Sequence, residues 1–110
     1  MAKGGFPGMG GANMQQLMKQ AQKMQADMQK AQEEIEAAEL TGTAGGGLVE
    51  VTLSGKKELL GIKIKPEAVD PDDVEMLEDL ITAAFNDASS QADALSEEKL
   101  GAYGNMGGLL

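Results

Sequence analysis

Lys19, Lys23 and Lys30 share one segment in which Asp27 is the only carboxylate, and ammonium groups gathered in this way suit the binding of phosphates. Other chemistries lack their residues. The chain has no histidine and no cysteine, so the usual general bases, nucleophiles and metal ligands are missing, and neither a disulfide framework nor a zinc-cysteine site can form. The lysines and carboxylates that remain are of the surface type. The reading is therefore of a protein that is not an enzyme, with no catalytic, cofactor-binding or metal-binding residues and no small-molecule substrate.

Three apparent motifs fail at specific positions. A phosphate loop ending at Gly55-Lys56 would need glycine where Glu50 stands and a hydroxyl residue where Lys57 stands. A dinucleotide fingerprint begun at Gly45 and Gly47 meets Glu50 in place of its third glycine. The acids Asp70, Asp72, Asp73 and Glu75 suggest a calcium loop, but Val74 occupies a ligand position and Glu75 the position of the required glycine. A strand connection explains the glycines better, and helix capping explains the acids.

The net charge of -9 speaks against a polyanionic partner until its distribution is considered. Residues 1–32 hold four lysines and one acid, and residues 56–65 again hold four lysines and one acid. Residues 33–55 hold five acids and no lysine, while residues 66–110 hold eleven acids and one lysine. Basic tips on an acidic body can bind a polyanion locally while the body limits how it docks. Arginine is absent, which removes the bidentate reading of guanine and predicts contacts to phosphates with little sequence preference.

The lysines must be carried by a helix. From Asn13 the chain is rich in Met, Gln, Lys, Ala and Glu, with no glycine or proline before Gly42, and a helix of about 28 residues is predicted. Met14, Leu17, Ala21, Met24, Met28, Ala31, Ile35 and Ala38 form an unbroken heptad seam, which leaves Lys19, Lys23 and Lys30 on the outer face. Such a helix, roughly 42 Å long, outruns so small a domain, so one end should project. Its order of charge, lysines first and Glu33, Glu34, Glu36 and Glu39 last, opposes the helix dipole and so is not placed there for helix stability.

Val49, Val51 and Leu53 alternate with polar residues as a half-buried strand does, Ser54 to Lys57 reads as a hairpin turn, and Leu60, Ile62 and Ile64 continue into a second strand that stops at Pro66. Thr41 to Ala44 offers a third strand. Asp70 is expected as the N-cap of a last helix with Pro71 at its first position. The apolar stripe Val74, Leu77, Ile81, Ala84, Ala88, Ala92 and Leu95, widened by Leu80 and Phe85, should cover the sheet until Gly101 ends the helix. Residues 13–100 thus make a single domain, with disordered glycine-rich stretches expected at 1–12 and 101–110. With so few aromatic residues a monomer would be marginal, and dimerisation is the expected remedy.

Three stretches carry a resemblance to the YbaB/EbfC family: MQQLMKQAQKMQADMQKAQEEI at Met14 to Ile35, TGTAGGGLVEVTLSG at Thr41 to Gly55, and VDPDDVEMLEDLITAAFNDA at Val69 to Ala88. The resemblance implies an α+β chain of order αβββα with a small antiparallel three-stranded sheet. It implies a homodimer formed through the sheet with helices protruding like tweezers, and a nucleoid-associated protein that binds double-stranded DNA and alters its shape. Its DNA contacts would fall on basic helix positions, here Lys19, Lys23 and Lys30. Where family members often carry arginines in the last helix, Ser89, Ser90 and Gln91 stand in this chain, which implies weaker binding. No secretory signal and no apolar run of roughly 18 residues is present, so a soluble cytoplasmic protein at the nucleoid, with no membrane partner, is expected. A second reading makes the Met-rich first helix a protein-interaction module that accepts a partner helix.

Overall fold

Helix α1 (Gly5–Ala37) is followed by strands β1 (Glu39–Ala44), β2 (Val49–Ser54) and β3 (Leu59–Ile64), a short 3-10 turn at Pro66–Ala68, and helix α2 (Val74–Gly108). These elements come from a computed structural model that describes the backbone of residues 5–108 and the side chains of residues 13–101. The strands form one antiparallel sheet in the order β1-β2-β3, so the expected αβββα architecture holds, with Thr41 to Ala44 inside β1. Both helices include backbone of the stretches read as glycine-rich tails, and residues 1–4 and 109–110 lie outside the described residues.

The core is small and sits on one face of the sheet. Val49, Val51 and Leu53 on β2 are fully buried beneath α2, which meets them with Ala84 and Ala88, while Leu77, Leu80 and Ile81 pack around them. Alanines let the helix lie close to the strands. Gly42 on β1 completes the fit, since a Cβ there would collide with the backbone of Ala84 and Ala88. Val74 and Phe85, expected in this stripe, are 54% and 39% exposed. The contacts of α2 fall mainly on β1 and β2, with fewer on α1.

Both helix boundaries differ from the sequence expectation for local reasons. At the start of α2 the cap is Asp73, whose Oδ1 accepts a hydrogen bond from the Met76 amide at 3.2 Å. Asp70 instead accepts from the Asp72 amide at 2.9 Å and shapes the turn before the helix. Gly101 does not stop α2, which continues to Gly108. At its other end α1 stops at Ala37, and Glu39 and Leu40 join β1, where Leu40 pairs with Leu53. A place in the sheet outweighs their helical preference.

The β2–β3 turn ties both helices to the sheet. The Lys57 amide donates to the Ser54 carbonyl at 2.9 Å, and Lys57 has φ 68, the left-handed conformation that a three-residue hairpin loop demands. Glycine would suit that position, yet the turn's glycine is Gly55, where a Cβ would strike the Ile35 carbonyl of α1. Close packing against α1 therefore decides where the glycine stands. Lys56 then pairs with Glu36 of α1 at 2.7 Å and Lys57 with Asp93 of α2 at 2.6 Å.

Candidate nucleic-acid interface

Because α1 enters the sheet at the end where α2 leaves it, the two helices run antiparallel beyond the body, and the described chain extends 88 Å along its longest axis. The seam of α1 is covered only near the sheet. Ile35 and Ala31 are 5% and 8% exposed, Met24 is 37% exposed, and Leu17 and Met14 reach 62% and 60%. The first turns with described side chains therefore form an arm that is largely exposed among the described residues.

Lys19, Lys23 and Lys30 stand along this arm. At 3.6 residues per turn their directions differ by at most about 40°, and the stripe spans roughly 16 Å of helix. All three are exposed, and none takes part in an ion pair among the described residues. They lie about 160° around the helix from the apolar seam, so a ligand at the lysines and a helix at the seam would not compete. The sequence nominated these three, and the fold brings them onto one surface.

The other lysines divide into two groups. Lys56, Lys57 and Lys99 are engaged with Glu36, Asp93 and Glu34. The Glu36 carboxylate, by hydrogen bond and then by charge, holds Lys56 above its ordinary pKa, and Glu34 acts in the same way on Lys99. Glu34 is itself held below the usual carboxylate value by Lys99, with a smaller contribution from Lys30. Lys63 on β3 and Lys65 just beyond it are exposed and outside these pairs. Sequence reading counted them in a basic block without nominating them, and the two-residue spacing on a strand was the available signal.

Among the described residues no cluster of three or more acids could hold a metal ion, and no helix is long and apolar enough to cross a membrane. The clefts are open and charged. One of about 440 Å³ lies between the end of α1 and the hairpin turn and has Glu36, Glu39, Ser54, Lys56 and Glu58 in its lining.

A small antiparallel sheet backed by one helix, with a second helix projecting and bearing exposed cations on one side, defines a class of α+β scaffold with a protruding arm. Within that class the chain belongs to the YbaB/EbfC DNA-binding family, whose model matches residues 9–108. It is 64% identical over 93 residues to a nucleoid-associated protein of Clostridium acetobutylicum, an alignment covering 84% of this chain and 83% of that protein. It is 54% identical over 111 residues to one of Ruminiclostridium cellulolyticum, covering 99% and 96% of the two chains. A crystal structure of an uncharacterized protein from Helicobacter pylori shares the fold at a TM-score of 0.61 and 25% identity, covering 84% of this chain and 94% of that one. This is a family of DNA-binding proteins and not of enzymes.

Proposed function

We propose that the chain is a nucleoid-associated protein that binds double-stranded DNA as a homodimer with little sequence preference, alters its conformation, and contributes to nucleoid organisation or gene regulation in the cytoplasm. The stripe of Lys19, Lys23 and Lys30 on the projecting arm carries this reading. Three exposed cations along one helix face can follow a phosphate backbone, while the acidic body keeps the DNA at the arms. Without arginine the contacts are to phosphates, so affinity depends on charge more than on base order.

The homodimer is supported by the unequal edges of the sheet. On β1, Asp87 accepts from the Thr43 amide at 3.0 Å and the Gln91 side chain donates to the Thr41 carbonyl at 2.9 Å, so α2 occupies that edge. Among the described residues strand β3 has no such cover. Its Leu59, Leu60, Ile62 and Ile64 are 39–54% exposed, an apolar edge of the kind that soluble proteins bury in association.

Titration of unrelated DNA duplexes followed by fluorescence anisotropy, at low and near-physiological salt, tests the reading alongside a Lys19→Glu, Lys23→Glu, Lys30→Glu variant. Salt-sensitive binding that the variant lacks supports it; equal affinity of the two proteins refutes the lysine site. The second reading, the Met-rich helix as acceptor of a partner helix, is favoured by the exposure of Met14, Leu17 and Met18. It predicts capture of one stoichiometric protein partner from nuclease-treated lysate.

A further inference from the structure

We propose that in the homodimer α2 of each copy roofs β3 of the other, with Phe85 as the side chain that packs over Ile62 and Ile64 of the second copy. The inference rests on the homodimer proposed above and names the surface that completes it.

It begins from an unfinished layer. Helix α2 lies on β1 and β2, close enough that Ala84 and Ala88 stand over Gly42, and the bonds that Asp87 and Gln91 make to the β1 backbone hold it there. Covering β3 would break both bonds. At 3.6 residues per turn Phe85 projects about 160° around the helix from Asp87, so it leaves α2 on the flank away from β1, toward β3. It stands at the height of Ile62, because Gly42 pairs with Val51, Val51 pairs with Ile62, and Ala84 and Ala88 overlie that row. Phe85 is 39% exposed and Ile62 is 42% exposed, the wall and the floor of one open step.

Two features select a second copy of this chain as the occupant. The first is self-complementarity. A two-fold axis at the height of Ile62 sets the wall of each copy on the floor of the other, so that each contact occurs twice and both steps are filled together. The second is the size and chemistry of the step. Leu59, Ile62 and Ile64 pair with Leu53, Val51 and Val49, which puts them on the face beneath α2, whereas Lys63 points to the opposite face and brings no cation into the contact. With Phe85 these three are 39–54% exposed, which at roughly 200 Å² for a fully open side chain of this class leaves about 300 Å² of apolar surface. That area suits the centre of an interface of about 800 Å² per partner, where aromatic anchors concentrate.

The test uses the full chain, whose lack of cysteine lets single cysteines report contact between copies. Ile62→Cys and Phe85→Cys proteins are unfolded together, refolded and oxidised, each also being treated alone, and light scattering follows the mass of the wild type, Phe85→Ala and Phe85→Leu proteins across concentration. The expected result is a disulfide between the two different variants, formed well above the level at which either variant links to itself. Phe85→Ala should move the midpoint of dimer formation to a concentration about tenfold higher or more, and Phe85→Leu should move it less. Circular dichroism establishes that the variants fold, and the deficit of Phe85→Ala in urea should grow with protein concentration, which a role confined to one chain would not produce. A dimer whose cross-linking is no stronger between the two variants than within either one overturns the proposal and leaves the homodimer standing. A wild type that stays monomeric at every concentration removes the homodimer itself, and the proposed roof with it.

Discussion

Lys99 Nζ lies 2.9 Å from Glu34 Oε2, and this is the one ion pair among the described residues that joins α1 directly to α2. Both side chains are partly open to solvent, so the pair acts as a weak clasp at the base of the arm. The sign of its pH dependence follows from the two shifts. Glu34 is lowered from 4.5, so its contribution is complete above that value and is lost as pH falls through the lowered one. Lys99 is raised from 10.5, so its contribution is complete below that value and is lost as pH rises through the raised one. The clasp is therefore closed from pH 4.5 to 10.5. At neutral pH and low salt, Glu34→Gln is expected to speed amide exchange in the last turns of α1 slightly. High salt or a pH below the lowered Glu34 value should erase the difference from wild type.

The glycines give a ranking that urea unfolding can check. Gly42→Ala drives a methyl group into the backbone of Ala84 and Ala88, which cannot yield without lifting α2, and a loss of about 2–3 kcal/mol is expected. Gly46→Ala meets no atom within 4 Å but must hold φ +67, so its cost should be near 1 kcal/mol. Gly61→Ala has open space and no left-handed backbone, and should be neutral or slightly stabilising. If Gly42→Ala proved no worse than Gly46→Ala, the close approach of α2 to β1 would be wrong.

The order of elements was legible because each has a local signature: the heptad seam for α1, the two-residue alternation for β2 and β3, and the acid-proline start before α2. What local pattern could not give was which apolar positions find a partner. Ile62 and Val51 sit opposite each other in neighbouring strands, yet Val51 is fully buried and Ile62 is 42% exposed, because α2 covers β2 and stops short of β3. The same limit misplaced Phe85 in the core. The site was half legible. Spacing put Lys19, Lys23 and Lys30 on one helix face, but the engagement of Lys56 and Lys57 with Glu36 and Asp93 depends on a turn folding back between two helices, which no sequence window contains.

That uncovered half of the sheet leads to a prediction about assembly. Ile62 and Ile64 share the face of Val51 and Val49, and no helix among the described residues covers them. Placing charge there removes the gain from burying β3 against a second copy while leaving the core of a single chain untouched. Light scattering of an Ile62→Glu, Ile64→Glu variant should report a monomer, with a lower urea midpoint that no longer rises with protein concentration, where the wild type is a concentration-stabilised dimer. An unchanged mass would place the dimer contact elsewhere.

The number of phosphates engaged is measurable from salt dependence, and it distinguishes one arm from two. Each neutralised phosphate contributes about 0.9 to the slope of log affinity against log salt, so a homodimer using Lys19, Lys23 and Lys30 from both protomers should show a slope of magnitude about 5. One arm alone would give about 3. Replacing any one of the three by glutamine removes two contacts from the dimer and should lower the magnitude by about 2, almost equally on duplexes of unrelated sequence. Lys63→Gln and Lys65→Gln provide the contrast. Both residues are exposed cations, but they lie at the sheet, on β3 and just beyond it, rather than on the arm, so their loss should leave the slope unchanged if the DNA follows α1. A drop of similar size from either would extend the phosphate track onto the sheet and show that the arm is only part of the surface that DNA meets.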